Sequence, residues 1–294
     1  MSTEPALPQV TGKPPAPKIN PLTKFFRTPA IYIGLPSGGQ FWPEGTLEMP
    51  ENNELPVFPM TNRDEITLRT PDALINGQGV VDVIQSCIPN IKNAWKMPST
   101  DVDATLMAIR IASYGHNMDF EQTCPSCQHQ DTYSMDLRHT MSTVKCPDYT
   151  HAPQFDHIRI KFKPQDYAQV NRSNQVAFEL GKIQQNIDLL PEEEQSAANA
   201  LQLAKFTQLN IDSLASVTDY IELVESGEQI QDADYIKEFY ANIDSAFFTK
   251  IQKELIELTQ DSNVKPTKVA CTECGESVEL NILFDYANFF ALGS

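Results

Sequence analysis

Apolar residues follow two kinds of spacing along this chain, and each spacing predicts a different kind of element. Between about residues 61 and 115 the spacing is that of helices, with two apolar stripes. The first comprises Val80, Val83, Ile84, Cys87 and Ile88, and the second comprises Val102, Leu106, Ile109 and Ile111. Residues 117–123, 130–137 and 158–163 change to patterns typical of strands. From about 164 to 260 the pattern is helical again, and one stripe from Ile236 to Leu258 predicts a single helix.

Several residues mark where these helices begin and end. Three starts are predicted by a capping box at Thr61 with Asp64, a proline at the first helical position at Pro71, and a second box at Thr100 with Asp103. Pro89 and Gly115 predict helix ends. Pro164, and Pro191 followed by the acidic run 192–194, predict two further starts, because acidic residues are favourable near a helix N-terminus.

Strand signals lie near both ends of the chain. Ala30–Leu35 is rich in β-branched and aromatic residues, Ser37–Gly39 predicts a turn, and Gln40–Trp42 is predicted to be the return strand. Close to the C-terminus, Val278, Leu280, Ile282 and Phe284 alternate with polar residues. This alternation predicts a final strand ahead of an apolar end at Phe289-Phe290.

Two Cys-x-x-Cys pairs are the main candidates for chemistry. Cys124 and Cys127 lie between two predicted strands, and Cys271 and Cys274 have the same surroundings and are followed by Gly275. Two intervening residues let both sulfurs of a tight turn face one ion, and four thiolates suit tetrahedral Zn²⁺. We therefore predict one structural zinc ion per chain, with no open position for catalysis.

Other interpretations of the cysteines carry less weight. His129 or Cys146 can in principle replace one ligand, but a surface histidine and a spare thiol are the favoured interpretation. A redox role is disfavoured because redox Cys-x-x-Cys motifs usually open a helix, and Fe–S ligation is a minor alternative. Cys87 lies on an apolar helical face and is interpreted as a core residue.

Together these elements predict an α+β fold in four parts. Each Cys-x-x-Cys turn with its flanking strands is called a knuckle here. A flexible, Pro-rich and mildly basic arm (1–28) precedes a core with a small β unit, short helices and the first knuckle, with Cys124 and Cys127 (29–140). A mainly helical insertion follows (141–265), and the second knuckle with a C-terminal strand (266–294) completes the core. The zinc-ribbon-like site would then join the two ends of the insertion.

Composition and charge exclude several classes of function. The formal net charge is −17, which disfavours direct nucleic-acid binding because that binding depends on Lys and Arg neutralising phosphates. No apolar run approaches the about 18 residues of a membrane helix. The N-terminus lacks the pattern of a secretory signal, so we expect a cytoplasmic protein with reduced thiols.

Motifs for catalysis are absent from the sequence. There is no Gly-rich phosphate loop, no Gly-x-Ser-x-Gly and no His-Glu-x-x-His, and the five histidines form no motif. The acidic run 192–194 fits a helix start better than an acid–base pair. We therefore expect a protein that is not an enzyme.

A set of motifs in fixed order resembles the T4-type baseplate hub assembly proteins of contractile-tailed bacteriophages. These motifs are Leu35–Gly45, Thr70–Gly77, Cys87–Lys92, Trp95–Pro98, Ala108–Gly115 and Cys124–Cys127. The resemblance covers about a third of the chain plus the final knuckle. It implies a role in building or forming the baseplate and implies no catalysed reaction.

The leading functional expectation is a structural baseplate component near the hub, in the virion tail and assembled in the host cytoplasm. It would contact other baseplate and tail-tube proteins in multiple copies, through the arm 1–28 and the Phe289-Phe290 end. The alternative is a transient hub assembly chaperone that is absent from the mature virion. A rival from another class is a zinc-ribbon adaptor that binds nucleic acid or transcription machinery, although the sequence beside the knuckles shows little basic or aromatic character.

Overall fold

A computed structural model describes residues 20–70, 76–187, 191–260, 262, 264–280 and 289–290. It combines helices with small antiparallel sheets, which confirms the predicted α+β class. The α-helices are α1 (Asn62–Leu68), α2 (Gln78–Cys87), α3 (Ser99–Tyr114), α4 (Leu137–Thr143), α5 (Tyr167–Ile187), α6 (Glu192–Ser216), α7 (Ala233–Asn242) and α8 (Ser245–Thr259). The strands are β1 (Ile31–Ile33), β2 (Leu55–Val57), β3 (Asn117–Thr123), β4 (Gln130–Asp136), β5 (Gln154–Phe155), β6 (Ile158–Phe162), β7 (Thr218–Leu223), β8 (Gln229–Ile230), β9 (Thr267–Ala270) and β10 (Ser277–Leu280).

The N-terminal β unit pairs differently from the predicted hairpin. β1 is antiparallel to β2, with Ile31 opposite Val57. The predicted return strand at residues 40–42 is wrong, because that segment belongs to a series of turns. Gly39 and Phe41 have φ angles of +84° and +66°, and a positive φ is incompatible with a strand. The strand that pairs with β1 is therefore β2, which begins only at Leu55.

A buried carboxylate fixes this turn segment against α3. Asp101 accepts hydrogen bonds from the Ser37 backbone N–H at 2.8 Å, the Ser37 hydroxyl at 2.6 Å and the Trp42 indole N–H at 2.9 Å. Burial raises the pKa of Asp101, and the hydrogen bonds from Ser37 and Trp42 oppose that rise. Three donors thus compensate for removing one carboxylate from water.

One of the two predicted capping boxes is confirmed. The Thr61 backbone N–H donates to Asp64 Oδ2 at 2.7 Å, and the Asp64 backbone N–H donates to Thr61 Oγ1 at 3.3 Å. The box predicted at Thr100 and Asp103 is wrong, because α3 already begins at Ser99. A proline occupies the N-cap position there and cannot provide a capping side chain.

The main core contains the two predicted helical stripes together with β1 and β2. Its fully buried members from α2 and α3 include Val80, Val83, Ile84, Cys87, Leu106 and Ile109. Phe289 and Phe290 also pack in this core and are only 1% and 5% exposed. The expectation that this aromatic pair contacts neighbouring proteins is therefore wrong, since its own chain covers it.

The middle of the chain contains more strand than predicted. The predicted strand at residues 158–162 is confirmed as β6, and it lies in a four-stranded antiparallel sheet of order β5-β6-β7-β8. Ile160 lies opposite Ile221 of β7 in this sheet. β7 and β8 fall inside the stretch predicted to be helical, so that part of the prediction is wrong. Helices α6, α7 and α8 pack around the sheet to form a second core.

The long apolar stripe from Ile236 to Leu258 belongs to two helices. α7 ends at Asn242, Ile243 has extended backbone angles, and Asp244 caps α8 by accepting from the Phe247 N–H at 2.9 Å. The single predicted helix is therefore wrong, although the stripe does mark the buried face. Of the other predicted starts, the one at Pro191 is confirmed as the N-cap of α6, whereas α5 begins three residues after Pro164.

Some predictions lie outside the described residues. These are most of the arm 1–28, the helix start at Pro71, and the strand positions Ile282 and Phe284. None of the described helices combines the length and apolar character needed to cross a bilayer.

Candidate metal centre

The first cysteine pair lies at the tip of a regular hairpin. β3 and β4 pair along their whole length, from Asn117 opposite Asp136 to Thr123 opposite Gln130. The Cys124 N–H then donates to the His129 carbonyl at 2.8 Å. This bond closes the six-residue turn that carries Cys124 and Cys127.

The second pair repeats the same local geometry. β9 and β10 form a shorter hairpin with Ala270 opposite Ser277, and the Cys271 N–H donates to the Glu276 carbonyl at 2.8 Å. In each turn the residue after the second cysteine has positive φ, +73° at Gly275 and +60° at Gln128. The two knuckles therefore have the same backbone conformation, although only the second has the glycine that a positive φ favours.

The structure brings all four predicted ligands together from positions far apart in the chain. The Cys124 and Cys274 sulfurs are 3.7 Å apart, as are those of Cys127 and Cys271. All four sulfurs lie within 4.8 Å of one another. Every cysteine is a free thiol, and 3.7 Å is far longer than the about 2.05 Å of a disulfide.

The spacing of the sulfurs matches tetrahedral coordination. Zinc–sulfur bonds of about 2.3 Å at tetrahedral angles place the sulfurs about 3.8 Å apart. Cys124 and Cys271 are buried at 0% and 3% exposure, whereas Cys127 and Cys274 are exposed. The four cysteines can thus hold a metal ion with one side facing solvent. His129 and Cys146 are outside this cluster.

The thiols ionise unequally without a cation. Backbone N–H groups of Cys274 and Glu273 donate to Cys271 and lower the pKa of that thiol to about 6. The Glu276 N–H also lowers the pKa of Cys274, but hydrogen bonding with Cys127 and burial outweigh it and raise that pKa to about 12. Several thiolates at this distance repel one another, and a bound cation removes that cost.

Contacts outside the cysteines hold the two knuckles together. The Thr272 hydroxyl donates to the Asp131 carboxylate, joining the second knuckle to β4. Beneath the sulfurs, a small core contains Tyr133 and Met135 of β4 and Val278 and Leu280 of β10. The contact between Thr272 and Asp131 is not predictable from the sequence, because nothing in the spacing of these two residues indicates that they meet.

Fold and site together define an α+β protein with a zinc-ribbon-like arrangement of four cysteines. The family model described as T4 bacteriophage base plate protein matches residues 43–291, so the chain belongs to that family. Membership indicates a structural role associated with the phage baseplate. Neither curated proteins nor solved structures gave a match.

Proposed function

We propose that this protein is a structural component of the baseplate of a contractile-tailed phage, near the hub, and that it acts through protein–protein contacts. The observation that carries the proposal is the family match over residues 43–291, which spans both knuckles and everything between them. The proposed location is the tail of the virion, after assembly in the host cytoplasm. Its partners would be other baseplate and tail-tube proteins, in multiple copies per particle.

We further propose that the four cysteines bind one structural Zn²⁺ and that the protein is not an enzyme. The sulfur spacing of 3.7 Å supports zinc, because it agrees with a tetrahedron of zinc–thiolate bonds. Four thiolates fill that tetrahedron and leave no place for substrate or water. The metal would supply folding energy and keep the knuckles together.

The end of the N-terminal arm supports a role in partner contact. Arg27 is anchored on the main core, where its guanidinium donates to the Pro59 carbonyl and the Ser86 carbonyl, both at 2.7 Å. Just before this anchor, Phe25 and Phe26 are 73% and 61% exposed. Two exposed aromatic rings held at a fixed position are typical of residues that a partner protein covers.

Mass spectrometry of purified mature virions tests the structural role. Peptides of this chain at a constant ratio to other baseplate proteins are expected. If the chain is present in assembly intermediates but missing from mature particles, the structural proposal fails and the transient assembly chaperone replaces it.

A phage carrying Phe25→Ser and Phe26→Ser tests the contact role of the arm. We expect assembly of complete tails to fall, while the purified variant protein keeps the thermal stability of the natural protein. Ile66→Ser is a matched control, because Ile66 is 67% exposed on α1, outside the arm. Normal tail assembly by the double variant would contradict the contact role.

A further inference from the structure

A groove with no cysteine in its lining lies between α5, α6 and the start of α7. Its volume is about 660 Å³, within the range of about 300–1,000 Å³ that ligand sites occupy. One wall is a single face of α5 formed by Gln169, Arg172, Ser173 and Val176, and the opposite wall is a single face of α6 formed by Lys205, Gln208, Leu209 and Asp212. The α6 wall continues to Ser216, a length of about 16 Å at 1.5 Å per residue.

The charge of the groove is opposite to that of the protein. Four cations line it, Lys96, Arg172, Lys205 and Lys237, against the two carboxylates of Asp166 and Asp212. The whole chain carries −17. A local excess of cations on such an acidic protein creates a surface region that attracts negative groups.

Both carboxylates of the groove already have partners. Lys96 Nζ lies 2.9 Å from Asp166 Oδ2, and Asp166 Oδ1 also accepts the Gln169 N–H at 2.9 Å. Lys237 Nζ lies 3.0 Å from Asp212 Oδ1. By contrast, within the part of the chain that the structure describes, Arg172 and Lys205 form no ion pair or hydrogen bond, and both side chains are exposed.

We propose that this groove binds an acidic segment of a partner protein. The Arg172 guanidinium can hold a carboxylate through two parallel hydrogen bonds, and Lys205 on the facing wall adds a second positive charge. Between these cations, the half-buried Val176 and Leu209 provide apolar surface for a side chain of the same segment. The combination of cationic rim and apolar lining favours a peptide that contains both acidic and apolar residues.

The observations favour a protein segment over a nucleic acid. Nucleic-acid affinity grows with the number of phosphates that cations neutralise, and only two cations here are unpaired. A phosphate backbone leaving the groove in either direction would meet a surface whose overall charge is −17. In a partner protein, by contrast, the acidic residues can be confined to the short segment that lies in the groove, so the rest of the chain does not meet that repulsion.

Fluorescence anisotropy with the full-length protein tests the proposal at low ionic strength. The probe is a labelled peptide of about 12 residues containing Glu and Leu, about 18 Å long as a helix. A second peptide replaces every Glu with Gln. The test variant is Arg172→Glu with Lys205→Glu, and the control variant is Arg63→Glu with Lys145→Glu, an equal charge change at two exposed cations outside the groove.

The Glu peptide should bind and the Gln peptide should not. The groove variant should weaken binding by roughly tenfold or more, since two charge contacts become repulsive, while the control variant should stay within about twofold. If circular dichroism shows that the groove variant is unfolded, Arg172→Gln with Lys205→Gln replaces it. The proposal is overturned if the Glu peptide does not bind, or if both double variants lose the same affinity for it. It is also overturned if a single-stranded oligonucleotide competes for the groove as strongly as the Glu peptide binds.

Discussion

Removal of the second cysteine pair provides the sharpest test of the metal centre. In the Cys271→Ser and Cys274→Ser double variant, two of the four sulfurs that lie within 4.8 Å of one another are lost. Two thiolates are too few for a structural zinc site, which uses four protein ligands. We expect the zinc content to fall from about one ion per chain to near zero.

The size of the effect on folding follows from how little else holds β9 and β10. In the small core beneath the sulfurs, Val278 and Leu280 are buried and Val269 is partly buried, and the two buried side chains contribute roughly 3–6 kcal/mol. Ordering the backbone from Thr267 to Leu280 costs about 14–28 kcal/mol at 1–2 kcal/mol per residue. Even with its four-residue ladder, the hairpin needs a further contribution, and the proposed zinc ion would supply about 10–16 kcal/mol.

Zinc analysis combined with hydrogen–deuterium exchange measures this directly. In the double variant, amides of β9 and β10 should lose protection, while those of α2 and α3 in the main core should keep it. Cys146→Ser is the matched control, because this half-buried thiol lies outside the cluster. Unchanged zinc content, or unchanged protection of residues 267–280, would refute the shared site.

Three further predictions concern single residues. Asp101→Ala leaves the two buried donors of Ser37 and the half-buried indole N–H of Trp42 without their acceptor and should lower the free energy of unfolding by about 3 kcal/mol. A loss below about 1 kcal/mol in chemical denaturation would contradict this. Gln128→Gly should stabilise the first knuckle by roughly 0.5–1 kcal/mol, and the reciprocal Gly275→Gln should destabilise the second, because both positions have positive φ. Changes of the same sign in the free energy of unfolding, measured by chemical denaturation, would argue against backbone strain. Burial raises the pKa of Asp103 to about 6 from 3.8, so the folded state binds this proton more tightly than the unfolded chain. The resulting stability, at most about 3 kcal/mol, is complete below about pH 4 and is lost as the pH rises to about 6. Chemical denaturation across this range should show the free energy of unfolding falling with pH, and Asp103→Asn should remove the contribution of this residue to that fall.

The cysteine cluster was predictable because its signal is local. Each Cys-x-x-Cys turn between two strand patterns offers two sulfurs, and because a tetrahedral metal takes four ligands, two such turns predict that the four cysteines meet. The helical stripes of α2 and α3 were predictable for a similar reason, since an apolar face repeats over several turns. The capping box at Thr61 also depends on residues only three positions apart.

Errors arose where contacts between distant residues decide the structure. The segment 40–42 has the aromatic character of a strand, but Asp101, far along the chain, binds Trp42 and Ser37 and holds the segment as turns. The break between α7 and α8 leaves the apolar stripe intact, and only the cap at Asp244 marks it. β7 contains the strand-favouring residues Thr218, Tyr220 and Ile221, but the helical patterns on either side hide this short signal, and its pairing with β6 joins residues far apart in the chain.

The long middle segment is attached to the main core at both of its ends, by different means. At its start, the Tyr167 N–H donates to the Met97 carbonyl at 2.8 Å, and the Ser99 N–H donates to the Gln165 carbonyl at 2.8 Å. At its C-terminal end, the sulfur contacts of Cys124 with Cys274 and of Cys127 with Cys271 close a loop of 144–150 residues. Bringing together the ends of a loop of that length costs about 5 kcal/mol of chain entropy, which metal binding would have to offset. The start is held further by the Lys96–Asp166 ion pair and by Tyr167, which is buried in the main core. None of these contacts involves the cysteines, so loss of the metal should free the hairpin of β9 and β10 and leave the start in place.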